Sequence, residues 1–462
     1  MNVVLINLYE VGRQPFGLAE PAAMLLCEGF TVDCIDLSVE RLDPKLLSAA
    51  DLVAIYVPMH TATRIAVEAL PKIRALAQTT HICVYGLYAP INEGLLRELG
   101  VETVLGGEFE PGLVSLARRI ASSNATSQIE PVVNLSKVPF VVPDRSKLPA
   151  LNKYAHLILP DGTRKLVGSV EASRGCKHLC RHCPVVPVYQ GSFRIISREI
   201  VAADVRNQVL AGAKHLSFGD PDFFNGPTHA TKLVQALYEE YPEITYDVTI
   251  KIEHIIKHRD LLPILKETGC SFITSAVESV DDQVLSYFDK NHTNADFKEA
   301  VKLLREVGID LAPTFVPFTP WTTLEGYIEL LNELLELRLV ESIPPIQLAI
   351  RLLVPEGSYL LKLPGFRDRI GPFDPSMLGY PWIHEDPHVD RLQNSIQVFV
   401  SNAEKRELSR RETFAMIWAM AHDACGVSAP SLNAEFTGHA IPHMSEPWYC
   451  CAEPTNQQMT QF

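Results

Sequence analysis

No stretch of the chain stays apolar for the roughly 20 residues that a membrane-crossing helix needs; its longest apolar runs are of strand length. Positive charge is also short. Against 55 Asp and Glu stand 41 Lys and Arg, for a formal net charge of −14, which argues against a protein that tracks nucleic-acid phosphates. Met1 to Asn7 has neither the basic start nor the small-residue cleavage site of a secretory signal. No internal repeat or low-complexity tract stands out. These absences predict a cytoplasmic protein with neither membrane nor nucleic acid as partner. In a reducing compartment its ten cysteines are read as metal or redox ligands before disulfides.

What remains is a chain of 462 residues, 47% of them apolar, enough for two or three packed domains. Residues 1–125 alternate short apolar runs (3–6, 31–35, 52–57, 81–85, 103–105) with helical spacing (17–28, 65–77, 92–99). That alternation predicts an open parallel α/β sheet of Rossmann-like type, whose ligands sit at the carboxyl ends of its strands. Residues 126–165 carry recurrent prolines at 131, 139, 143 and 149 and read as a linker or strap. Residues 166–358 resume the alternation. Strands are expected at 167–172, 215–218, 245–250, 271–276, 310–315 and 346–352, with helices such as 261–268 and 295–307 between them. Six such units suggest a partial (β/α)6 barrel with its site at the strand carboxyl ends. Residues 359–462 read as mainly helical and irregular, with one helical segment at 389–421 and an irregular tail.

The chemistry concentrates in Gly175-Cys176-Lys177-His178-Leu179-Cys180-Arg181-His182-Cys183-Pro184, directly after the first barrel-type strand. Three thiolates on one short loop can hold an iron–sulfur cluster, which normally takes four. A fourth position left open is what a catalytic metal needs, whereas a structural site is closed. The competing reading is a structural zinc site, with His178 or His182 as fourth ligand, in a protein that is no enzyme.

C-x-x-x-C-x-x-C after a first barrel strand resembles the signature of the radical S-adenosylmethionine (SAM) superfamily. The resemblance implies that Cys176, Cys180 and Cys183 hold a [4Fe–4S] cluster whose open iron binds the amino and carboxylate groups of SAM. It also implies reductive cleavage of SAM, a small-molecule substrate and an electron donor such as flavodoxin or ferredoxin. His182 stands where the family usually has an aromatic residue near adenine. Gly219, Asp220 and Asp222, in Ser217-Phe218-Gly219-Asp220-Pro221-Asp222, match the segment that holds the SAM amino group, which needs acceptors; a cap and a turn explain the two acids equally well. Glu278 and Ser279 match the ribose-contacting segment, Lys290 the loop after it, and Pro355-Glu356-Gly357-Ser358 also looks familial. Lys251 and Glu253 close the third strand and are expected to face the site.

The amino-terminal pattern resembles the cobalamin-binding domain that precedes many radical SAM barrels. Gly106, Gly107 and Glu108 match its last turn, where glycine lets backbone approach a ligand closely. The Asp-x-His-x-x-Gly motif that supplies a cobalt-ligating histidine is missing, and Asn7-Leu8-Tyr9-Glu10-Val11-Gly12 stands in its place. Cobalamin therefore stays open as a third cofactor, beside a domain that kept the fold and lost the ligand. Finally, Cys450-Cys451-Ala452-Glu453-Pro454 resembles a radical SAM family named for its Cys-Cys-Ala-Glu-Pro tail. That resemblance makes Cys450 and Cys451 candidate catalytic thiols, able to bind a soft atom such as trivalent arsenic. It implies transfer of the 3-amino-3-carboxypropyl group of SAM to arsenic, of the arsinothricin-biosynthesis type; the alternative is a cobalamin-dependent radical SAM methyltransferase. His439 and His443 are possible acid–base groups. Cys27, Cys34, Cys83 and Cys270 are expected in cores, and Cys425 as a buried small hydrophobe.

Overall fold

A computed structural model describes residues 1–122, 129–433, 437–446, 453–455 and 458–459. In the amino-terminal part the strands β1 (Asn2–Asn7), β2 (Thr31–Asp36), β3 (Leu52–Tyr56), β4 (His81–Tyr85) and β5 (Thr103–Gly107) alternate with helices α1 (Phe16–Cys27), α2 (Pro44–Ser48), α3 (His60–Leu76), α4 (Glu93–Glu98) and α5 (Glu110–Ala121). With the short β6 (Val133–Asn134) they form a six-stranded, all-parallel sheet of order β2-β1-β3-β4-β5-β6. Both faces are covered by helices, so the middle strands are apolar at their centres; Leu5, Ile6, Ala54 and Ile55 are fully buried. The strap after α5 supplies β6 and so extends this sheet.

The second sheet begins with β7 (His156–Ile158) and β8 (Arg164–Val170). There follow β9 (Ser173–Gly175), α6 (Val185–Tyr189), β10 (Phe193–Ile195), α7 (Arg198–Leu210), β11 (His215–Phe218), α8 (Pro227–Glu240), β12 (Thr245–Thr249), α9 (Ile252–Lys257), α10 (Leu262–Glu267), β13 (Cys270–Glu278), α11 (Asp282–Phe288), α12 (Asn294–Val307), β14 (Asp310–Phe315) and α13 (Leu324–Glu336). Helices α14 (Pro387–Lys405) and α15 (Arg410–Ala424) and strand β15 (His443–Met444) complete the described elements. The order is β14-β13-β12-β11-β8-β7-β15, with β8 and β11 to β14 parallel and β7 and β15 antiparallel at one edge. It is a half-barrel, and its parallel core has five strands rather than six. The expected sixth strand, 346–352, is largely a 3₁₀ turn (Pro345–Leu348) and keeps one parallel bridge, Phe318 to Arg351. Pro344 and Pro345 at its start have no N–H to offer a ladder.

The helix expected at 389–421 is two helices. Glu407 takes a positive φ of 53°, and Ser409 opens α15 with a capping box to Glu412. Cys34, Cys83 and Cys270 are buried as expected, but Cys27 ends α1 exposed, and Cys425 is half-buried. No helix among the described residues is long and apolar enough to cross a membrane.

Candidate active site

The cysteine loop leaves β9 at Gly175, whose φ is +70°; a Cβ there would come within 2.5 Å of Ser192 O and the Tyr189 ring. Only glycine tolerates both conditions. The loop is pinned from two sides. Arg181 donates its N–H to Phe288 O (2.9 Å) and its guanidinium to Ser286 O and Tyr287 O, while its own carbonyl accepts from Ser358 Oγ and Leu360 N, both at 3.1 Å. This gives the Pro355-Glu356-Gly357-Ser358 segment its role as a clamp on the loop. Cys176, Cys180 and Cys183 are all free thiols. Burial, and then the neighbouring Cys180, push the Cys183 thiol up to about 12; burial also raises Cys176. As bare thiolates the three would repel one another in a poorly solvated loop. Bound iron removes that penalty, and a donor set of three free thiols on one loop fits a [4Fe–4S] cluster with one open iron.

Glu278 ends β13 with a positive φ of 72°, and its carboxylate meets His182 Nε2 at 3.0 Å and Lys290 Nζ at 3.4 Å. Burial would raise its pKa, but Lys290 and His182 hold it down to about 2. The His182 ring lies 4.4 Å from the ring of Phe288. So the resemblance-derived residues His182, Glu278 and Lys290 form one charged group beside the cysteines. His292 lies close to it; burial, then Lys290 and Lys251, lower its pKa to about 4. Lys251 caps the start of α9 and reaches Glu253 at 3.2 Å. Ser279 accepts from Asp281 N at 3.1 Å in the turn into α11.

The two acids after β11 have partners within the protein. Asp220 accepts from Ala172 N (2.9 Å) and Ser173 Oγ (2.5 Å), and burial pushes it up to about 7. Asp222 accepts from Phe224 N (3.2 Å), and its other oxygen faces His254 Nδ1 at 2.6 Å and His178 Nε2 at 3.5 Å. His178 and His254 had not been joined by sequence spacing, since they lie on different elements. Gly219 faces a small cleft of about 230 Å³ together with Glu10, Arg13, Tyr56, Glu171 and Arg174.

Gly106 and Gly107 do allow a close approach, but the approaching groups are protein. A Cβ at Gly106 would meet Pro90 Cγ at 2.1 Å and one at Gly107 would meet Asn134 O at 2.2 Å. Glu108 is turned inward toward Arg174, 3.6 Å away, and burial pushes it up to about 7. His439 pairs with Asp310 at 2.7 Å, at the amino end of β14 and so away from the cysteine loop. Cys450 and Cys451 lie outside the described residues. Their neighbours in sequence do not: Glu446 accepts from Tyr9 OH at 3.1 Å, and Glu453 meets His60 Nε2 at 2.9 Å and Arg64 Nε at 3.2 Å.

A cavity of about 680 Å³ lies between the edge of the amino-terminal sheet and the half-barrel, within the usual size range of small-ligand sites. It is bounded by Val11, Arg13, Pro58, Met59, Leu87 and Tyr88 from the carboxyl edge of the amino-terminal sheet, and by Pro184 and Val185 just after Cys183. Its floor is the half-barrel interior, where Asp247, Thr249, Thr274 and Thr314 line neighbouring strands; His443 and Glu446 close another side. The side chains that the sheet edge gives this lining are mainly apolar, with Arg13 charged, and include no histidine. His60, on that edge, is fully buried and engaged with Glu453, so a cobalamin held here would lack histidine ligation.

Residues 170–332 match the family model for the radical SAM superfamily. Hopanoid C-3 methylase of Methylococcus capsulatus is 25% identical over 239 residues, covering 50% of this chain and 44% of that protein. The chain thus spans less than half of that curated relative. Among solved structures, the cobalamin-dependent SAM radical enzyme OxsB with aqua-cobalamin bound superposes with a TM-score of 0.70 at 16% identity, over 90% of this chain and 72% of that one. The radical SAM methyltransferase TsrM of Kitasatospora setae, with tryptophan and a SAM analogue bound, gives 0.59 at 19% identity, over 73% and 71%. The first similarity spans the parallel sheet, the half-barrel and the helical carboxyl-terminal region together. Over residues 170–332 the chain carries a radical SAM domain, for which the family implies a [4Fe–4S] cluster and SAM as cofactors.

Proposed function

We propose that the chain is a radical SAM transferase that moves a carbon group onto a small molecule held between the half-barrel and the amino-terminal sheet, with cobalamin-dependent methylation as the leading reading. The observation that carries it is a loop of three free cysteines that runs on, at Pro184 and Val185, into the wall of a cavity of about 680 Å³ reaching the carboxyl edge of a Rossmann-like sheet. The methylase and methyltransferase relatives support the same reading. When bound, the cluster supplies the electron, SAM the group and the radical source, and cobalamin a methyl carrier.

The residues have separate tasks. Cys176, Cys180 and Cys183 hold the cluster. Glu278, fixed by Lys290 and His182, offers a carboxylate of constant charge to the ribose hydroxyls of SAM, with Ser279 beside it. Lys251 and Glu253 are further charged groups for SAM, and Gly219, with exposed backbone, is assigned to its amino end. Val11, Arg13, Pro58, Met59, Leu87 and Tyr88 would hold the corrin. Asp247 and the threonines 249, 274 and 314 orient a substrate with polar groups on a mainly apolar body. Flavodoxin or ferredoxin is the electron donor of this scheme.

A second reading rests on the tail. Glu446 and Glu453 both attach to the carboxyl edge of the amino-terminal sheet, on either side of Cys450 and Cys451 in sequence. In this reading the tail thiols act near the cavity, and the reaction is transfer of the 3-amino-3-carboxypropyl group to trivalent arsenic, which the tail resemblance alone suggests. Anaerobically reconstituted protein, incubated with SAM, reductant and either hydroxocobalamin or arsenite, separates the two. Methylation yields S-adenosylhomocysteine and 5′-deoxyadenosine, and aminocarboxypropyl transfer yields methylthioadenosine. Full activity without cobalt sinks the cobalamin reading. Arsenite that neither binds Cys450 and Cys451 nor changes SAM turnover sinks the arsenic reading.

A further inference from the structure

Beside the cysteine loop, three buried ligand atoms from three separate elements converge. His178 Nε2 comes from the loop itself, Asp222 Oδ2 from the turn after β11 and His254 Nδ1 from the first turn of α9, all within 4.8 Å of one another. Asp222 and His254 are 0% and 1% exposed. Each of the three atoms is buried without a hydrogen-bond partner among the described residues. His254 Nδ1 and Asp222 Oδ2 are 2.6 Å apart, a hydrogen-bond length, but the ring N–H direction misses the oxygen, and His178 Nε2 stops at 3.5 Å. Three desolvated polar atoms left unsatisfied at one point are costly unless something else binds them.

We propose that His178, Asp222 and His254 form a mononuclear site for a divalent zinc ion, separate from the cluster. Two imidazoles and one carboxylate are a donor set that zinc takes, and three protein ligands leave a fourth position for water. With zinc bonds of about 2.0–2.2 Å, tetrahedral ligands sit roughly 3.3 Å apart. The 3.5 Å pair already has that spacing, and the 2.6 Å pair reaches it by a small rotation of the Asp222 carboxylate. The other ring nitrogen of His178 faces Glu253 Oε2 at 3.7 Å. A carboxylate behind a ligating histidine fixes the ring and raises its basicity. The ion ties the cysteine loop to the carboxyl ends of β11 and β12. Lys177 makes a parallel tie, its Nζ donating to Asn225 O at 3.2 Å.

The test is metal analysis and zinc-edge X-ray absorption on anaerobically purified, iron-reconstituted protein from cells grown with added zinc. The expected result is about one zinc per chain beyond the cluster iron, with nitrogen and oxygen neighbours near 2.0–2.1 Å and no sulfur near 2.3 Å. His254→Ala and Asp222→Asn should each lower zinc at least tenfold while iron stays. Cys183→Ser should do the reverse. Zinc below a tenth of an equivalent in the wild type, or sulfur in its coordination shell, overturns the proposal, and the wild-type spectrum decides even if a variant misfolds.

Discussion

Arg174 is the most heavily contacted cation at the junction of the sheet and the half-barrel, and removing its charge should loosen that junction. Its guanidinium binds Glu20 of α1, Glu110 of α5 at 2.5 Å and Glu171 at 2.8 Å, with Glu108 at 3.6 Å. It also lies over the rings of Phe16, Phe109 and Phe140, at 5.2–5.6 Å. Four carboxylates around one cation cannot all stay ionised, since like charges about 4 Å apart repel by roughly 4 kcal/mol at an effective dielectric of 20. Burial accordingly pushes Glu20 up to about 8 and Glu108 up to about 7. Between the ordinary carboxyl range and those values the folded chain binds more protons than the unfolded one. This cage therefore favours folding most at acid pH, and its contribution falls as pH rises from about 4.5 to about 8. Arg174→Met keeps the bulk and removes the charge. The loss should be about 3–5 kcal/mol, because the acids are left buried without their partner, and the decline with pH should steepen. Glu108→Gln, which makes one acid permanently neutral, should flatten it. Urea midpoints followed by tryptophan fluorescence at about pH 5.5, 7 and 8.5 measure all three. An Arg174→Met midpoint equal to wild type at the alkaline end, or an unchanged slope in Glu108→Gln, would refute the reasoning.

Serine in place of Cys176, Cys180 or Cys183 should each lower bound iron at least tenfold and abolish the visible charge-transfer absorbance; a single variant that keeps its iron and its SAM turnover disproves the cluster assignment. Glu278→Gln leaves Lys290 buried beside a neutral amide, so SAM affinity should weaken about tenfold or more, roughly 1.4 kcal/mol, in equilibrium dialysis with reconstituted protein; unchanged affinity removes Glu278 from the SAM site. Gly17→Ala puts a Cβ 2.1 Å from the Tyr56 ring and should cost about 1–3 kcal/mol. Its melting temperature should recover in the double variant with Tyr56→Leu, and no recovery would mean that the clash lies elsewhere.

Local pattern carried much of this molecule. Strands β11 and β14 run over the very residues, 215–218 and 310–315, expected for them; β11 is buried along its whole length and β14 on alternate residues, and both kinds of burial are written into the chain. The cysteine loop was legible because its three ligands are close in sequence. What stayed hidden is whatever joins distant residues. Glu20, Glu110 and Glu171 carry no signal in the sequence, and Glu108 reads toward a cobalamin turn, until the topology sets all four around Arg174. His178 and His254 meet only through Asp222. The glycines at 106 and 107 announced a close approach but not its partner, which is Pro90 after β4 for the first and Asn134 of the strap for the second rather than open space for a ligand. The break at Ser409 was within reach, since Ser409 and Glu412 form a capping box three residues apart; apolar spacing on both sides masked it. The tail extends the same logic. Composition alone makes Cys450 and Cys451 two terminal thiols, whereas Glu446 on Tyr9 and Glu453 on His60 and Arg64 anchor both sides of the pair to the sheet edge that borders the cavity.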